Sequence, residues 1–128
     1  MLNEEFIKIL EARITKTTDV LANKAKEYAT DEDRLHNFKR AAAMLDTTPE
    51  KALVGMWSKH VVSILDMVEH PHTITKEKID EKIGDAINYL VLLEGILLEQ
   101  LKMEEPADEA IKAIKEVLHK RRGRSSSK

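Results

Sequence analysis

The sequence contains no cysteine, which excludes disulfides, thiolate metal centres and a cysteine nucleophile together. Aromatic residues make up only 4% of it, and Ala, Leu, Ile, Glu and Lys take their place, which is the composition of helices. Neither sign of charge dominates: 21 Lys and Arg stand against 23 Asp and Glu, a formal net charge of −2. Charge therefore gives no global argument for nucleic-acid or membrane binding. No run approaches the roughly 18 apolar residues of a membrane helix. The opening Met1-Leu2-Asn3-Glu4-Glu5-Phe6 lacks the basic region and apolar run of a leader. The expectation is a soluble protein of the cytoplasm.

What is present is enough apolar material for a core. At 42% hydrophobic over 128 residues, the chain is most economically one all-α domain over residues 1–119, followed by a basic tail without structure at 120–128. The expected fold is a helical bundle of four main helices plus a short C-terminal one.

The fourth helix organises the rest. At about 100° per residue, Ile79, Ile83, Ala86, Ile87, Leu90, Leu93 and Leu97 fall on one stripe facing a core. The opposite side carries Glu81, Asp85 and Asn88 first, then Leu92 and Ile96, so the later turns are apolar nearly all round. That surplus of apolar surface implies a homo-oligomer. The three polar groups stand at the mouth of a central helix and are the best candidate for a site; the alternative is that they simply face water where the helix emerges.

The other helices follow from periodicity and punctuation. The first runs from Leu2 to about Tyr28 on Phe6, Ile7, Leu10, Ile14, Val20 and Leu21, with no Pro or Gly to break it. The polar break Ala29-Thr30-Asp31-Glu32-Asp33 caps a second helix to Leu45, with Leu35, Phe38, Ala42 and Leu45 inward and Arg34, Asn37 and Arg40 elsewhere. Thr48-Pro49-Glu50 starts a third. It presents Leu53, Trp57, Val61, Ile64, Leu65 and Val68 on one face and Lys59, Ser63, Asp66 and His70 on another. Pro71 ends it, and Thr75 caps the fourth helix, which fades near Met103-Glu104-Glu105-Pro106. A last helix uses Ala110, Ile111, Ile114, Val117 and Leu118.

Three chemistries are open to these residues. Mg²⁺ takes oxygen ligands, and Glu81 and Asp85, one turn apart, offer two, with Asp66 the best third. Alternatively Arg34, Lys39, Arg40, Lys59, His60 and Lys82 neutralise phosphates without a metal; ordinary surface ion pairs are the competing account. Trp57 or Phe38 could stack on a base, although both occupy apolar stripe positions. His70-Pro71-His72 has too few partners for a zinc site.

The residues Lys26-Glu27-Tyr28, Arg34-Leu35-His36-Asn37-Phe38, Lys59-His60 with Asp66, and Asp80-Glu81-Lys82-Ile83-Gly84-Asp85-Ala86-Ile87-Asn88-Tyr89 resemble a family of small phage and prophage proteins, nucleotide modification associated domain 1. The resemblance spans about Lys24 to Leu93. The fourth helix is also distantly similar to the MazG-like all-α nucleoside triphosphate pyrophosphatases, whose Glu-Glu-x-Gly-Asp segment supplies metal ligands. Glu81, Gly84 and Asp85 match that segment, but Lys82 replaces its second Glu and no Glu-x-x-Glu precedes it. A cation where a metal ligand belongs opposes Mg²⁺ and favours a bare phosphate.

The resemblance thus implies a nucleotide-type ligand in an inter-helix cleft, held without turnover and without a cofactor. Arg34, Asn37, Lys39, Lys59, His60, Lys82, Asp85 and Asn88 would contact it. The alternatives are a Mg²⁺-dependent nucleotide pyrophosphohydrolase with Asp66, Glu81 and Asp85 as ligands and Glu81 and Asp85 catalytic, and a helical protein–protein interaction module with no small ligand.

Overall fold

The computed structural model describes residues 1–24, 33–101 and 104–126. Five α-helices carry the described chain: α1 (Asn3–Thr18), α2 (His36–Met44), α3 (Pro49–Glu69), α4 (Lys76–Gln100) and α5 (Glu104–Ser126). A π-helical stretch, Asp19–Lys24, extends α1, and a single 3₁₀ turn, Pro71–Thr73, joins α3 to α4. No strand occurs among the described residues, so the all-α expectation holds. The expected motif residues Lys26-Glu27-Tyr28 and the break at Ala29–Glu32 lie outside the described residues.

Local chemistry sets the boundaries. Asp33 Oδ1 accepts the Leu35 N–H at 3.0 Å just ahead of α2, using a short side chain to satisfy a backbone donor that the helix leaves free. At the other end of α2, Thr47 N–H donates to Ala42 O at 2.9 Å and Asp46 adopts φ 52°, the left-handed closing turn usually given to glycine. Pro49 opens α3, where its missing N–H costs nothing. The Thr48 hydroxyl ahead of it makes no capping bond. Thr75 does cap α4: its Oγ1 accepts the Lys78 N–H at 3.1 Å.

The chain divides into two compact units, Met1–Gly95 and Ile96–Lys128. In the first, Leu35, Phe38, Ala42, Ala52, Leu53, Met67 and Ala86 are buried, with Leu53 fully enclosed. Leu35, Phe38 and Ala42 match the expected inward face of α2, while Leu45 is exposed. On α3 and α4 the expected stripe is covered in part: Leu53 and Ala86 are buried and Trp57, Val61, Ile64, Ile83, Ile87 and Leu93 half-buried, but Leu65, Val68, Ile79 and Leu90 are exposed, and Ala52, Met67 and Gly84 are buried beside the stripe.

The second unit comprises the end of α4 and α5, with Ile96 buried and Ile111, Ile114, Val117 and Leu118 of α5 exposed. α5 continues to Ser126. The basic stretch expected as a tail is thus helical over 120–126, where Lys and Arg are good helix formers.

Candidate functional site

The short connection folds α4 back antiparallel on α3, and the register between them can be read from side-chain contacts. The Lys82 ammonium donates to Ser63 Oγ. One turn along, His60 Nδ1 lies 3.9 Å from Asp85 Oδ2. Beyond that, the His60 ring lies tilted against Tyr89, centroids 4.8 Å apart. Residues three or four apart share a helix face, so His60, Ser63 and Asp66 on α3, with His70 just past its end, meet Lys78, Lys82, Asp85 and Tyr89 on α4 along one polar seam.

The two ends of the seam differ. Near the connection it opens into a cleft of about 410 Å³ lined by Ser63, Asp66, Met67, His70, Thr73, Lys78 and Lys82. Two ammonium groups face one carboxylate there, so that end is positive even with its imidazole neutral. His70 Nδ1 bonds to Asp66 O at 2.8 Å, fixing the ring at the cleft wall. At the far end, Tyr89 lies between His60 and Phe38, whose ring meets it edge-on at 6.3 Å. Asp85, with 46% of its side chain exposed, stands between the two ends.

A second cleft, about 320 Å³, lies on the opposite side of Asp85, between α1 and α4. Glu81, Asp85 and Asn88 line it together with Asp19 and Asp80, and against these stand only Arg13 and Lys16. Both cations are engaged by Asp80: Arg13 Nη2 at 2.5 Å and Lys16 Nζ at 2.8 Å from Oδ1, with Arg13 also donating to the Asp80 carbonyl at 3.3 Å. The hydrogen bond from Lys16, reinforced by that from Arg13, outweighs partial desolvation and holds the Asp80 carboxyl below its ordinary value. Gly84 makes the arrangement possible, since a Cβ there would lie 2.6 Å from Arg13 Nη1. Asn88 Oδ1 is buried without a partner in the same wall.

The residues expected at a site therefore separate into groups. His60, Lys82 and Asp85 are brought together along the seam. Asn88 and Glu81 face α1 instead. Arg34, Asn37 and Lys59 are exposed and line none of these clefts. Lys39 is spent on Asp33 at 2.8 Å, whose carboxyl it holds below the usual range. The alternative metal set is split, with Asp66 in the seam cleft and Glu81 in the α1 cleft. Among the described residues no three His, Asp or Glu side chains converge on a metal position. Trp57 is half-buried with its Nε1 enclosed and unpaired, and Phe38 is buried.

Sequence reasoning missed Lys78, Arg13, Lys16 and Tyr89 as site residues. Lys78 and Tyr89 were accessible in principle, since they lie one turn from Lys82 and Asp85 on the same helix face.

No protein-family model matches the chain, and no curated protein or solved structure is significantly similar to it. The functional reading rests on the residues themselves. No helix among the described residues is long and apolar enough to cross a membrane.

Proposed function

We propose that the chain binds a nucleotide or nucleotide-derived anion along the α3–α4 seam and sequesters it without turnover. The observation that carries this reading is the polarity of the seam, with Lys78 and Lys82 in an open cleft at one end and the His60–Tyr89 ring pair at the other. Tyr89 lies seven positions after Lys82, about 10 Å along the helix axis at 1.5 Å per residue, a spacing suited to a phosphate at one end and a base at the other. Lysine ammonium groups act on phosphate as point charges. An aromatic ring supplies a stacking face for any base, and Asp85 between them can accept from a sugar hydroxyl.

A thermal-shift screen of nucleotides, with and without Mg²⁺, tests the reading. Binding without a metal raises Tm in Mg²⁺-free buffer, and Lys82→Ala with Tyr89→Ala abolishes the shift. A shift that requires Mg²⁺ and accompanies release of pyrophosphate makes the chain a hydrolase instead. No shift across a broad panel leaves a helical interaction module with no small ligand.

A further inference from the structure

The seam ends on a histidine that is exposed yet held in place. His70 follows the last residue of α3, and its own N–H donates to Met67 O at 3.2 Å, which leaves the Asp66 carbonyl without its helical donor. The His70 ring fills that gap, with Nδ1 2.8 Å from Asp66 O. A carbonyl oxygen only accepts, so Nδ1 carries a hydrogen, and Nε2 is the nitrogen whose proton comes and goes. The residue is fixed from its other side as well, because the Thr73 N–H and hydroxyl both donate to the His70 carbonyl, at 2.9 and 2.7 Å.

The groups around that nitrogen suit an anion. His70 lines the cleft with Ser63, Asp66, Thr73, Lys78 and Lys82. The charged groups facing it are the Asp66 carboxylate from its own helix and the Lys78 and Lys82 ammonium groups from α4. Glu69 and His72, close to it in the chain, are exposed and do not line the cleft. Two ammonium groups against one carboxylate leave a single positive charge with the ring neutral and a second with it charged. The neutral ring presents a lone pair at Nε2, which repels a phosphate oxygen, whereas the imidazolium donates a charge-assisted hydrogen bond to it.

We propose that His70 is a third phosphate-binding residue of the seam, and that it takes up a proton at Nε2 as the anion binds, so that affinity depends on pH. This role rests on the reading of the seam as a phosphate site and adds the group that links binding to protons. Histidine changes charge between pH 5 and 8, so affinity rises as pH falls through that interval. The lysines are charged throughout it and cannot produce the change. His60, the other histidine of the seam, faces Asp85 and Tyr89. It lies ten positions before His70, about 15 Å along the helix axis, too far to meet the same phosphate.

Titration calorimetry of the full chain with pyrophosphate and with ATP, at low salt and at pH 5.5 and 8, tests this role. The probes titrate too, so the quantity to read is the ratio of variant to native Kd at each pH, in which the protonation of the free probe cancels. His70→Asn keeps a donor near the place of Nδ1 and removes Nε2. It should weaken binding about tenfold at pH 5.5, the lower end for a charge-assisted bond, and hardly at all at pH 8. His70→Arg, charged throughout, should bind about tenfold tighter than the native chain at pH 8, again the lower end for such a bond. His72→Asn should match the native chain at both pH values. A His70→Asn ratio that is the same at both pH values overturns the proposal while the seam reading stands, as does a His70→Arg chain that binds no tighter at pH 8. If pyrophosphate gives the expected ratio and no nucleotide binds, the His70 role holds and the nucleotide reading falls. If neither pyrophosphate nor any nucleotide binds, both fall.

Discussion

At the scale of single residues, two positions set the cost of the fold. Leu53 is fully enclosed, so truncating it removes transfer free energy and leaves a cavity. Leu53→Ala should cost about 2–5 kcal/mol in urea unfolding with little change in the slope. Asp46 works in the opposite direction. It holds φ 52° at the close of α2, where its N–H and that of Thr47 reach the Ala43 and Ala42 carbonyls at 3.4 and 2.9 Å. That motif favours glycine because a Cβ is strained in the left-handed region. Asp46→Gly should therefore stabilise the protein by about 0.5–1 kcal/mol, a rise in the urea midpoint that an ordinary surface change would not give.

At the scale of elements, the attachment of α1 to α4 depends on one carboxylate and one missing side chain. Asp80 accepts from Lys16 and Arg13, and its pKa is lowered. Its contribution is fully present above the unfolded-state value, about 3.9, and is lost as pH falls through the lower folded-state value. The stability difference between the native chain and Asp80→Asn should thus be present at pH 6 and shrink below about pH 4; a difference that persists in acid would assign the effect to shape alone. Gly84 gives a second test of the same attachment. With Arg13→Ala already in place, Gly84→Ala should gain the ~1 kcal/mol of helix propensity, and in the native chain it should gain less or lose, because the new Cβ displaces the Arg13 guanidinium. Additive effects in this cycle would show that the two residues do not compete for space.

These elements show why the chain was only partly legible. The Thr75 cap and the Asp33 contact act within a few residues of themselves, so composition and spacing sufficed to find them. Periodicity gave the existence of each helix but not the angle at which it meets its neighbours. Hence Leu65, Val68 and Leu90 lie exposed although they occupy good stripe positions. The partner of Asp80 was hidden for a different reason: Arg13 lies 67 residues away, and nothing local to α4 indicates which cation will be brought to it. The same limit scattered the candidate site, because Arg34 and Lys59 are as basic in the sequence as Lys78 and differ only in where the helices carry them.

At the scale of the whole molecule, the proposed seam belongs to one of the two compact units. Every residue of the seam, from His60 to Tyr89, lies in Met1–Gly95. α5 carries an exposed apolar stripe of Ile111, Ile114, Val117 and Leu118, and none of the residues named along the seam belongs to it. A chain ending at Leu101 keeps α4 whole and retains Ile96, the one residue beyond Gly95 that is buried among the described residues. It should lose helical circular dichroism in proportion to the length of α5 and keep the nucleotide-dependent rise in Tm. If the shortened chain unfolds without cooperativity, the second unit is required for the first to fold. If it folds but no longer responds to a nucleotide that shifts the full chain, the binding site includes residues of α5, and the seam alone is not the site.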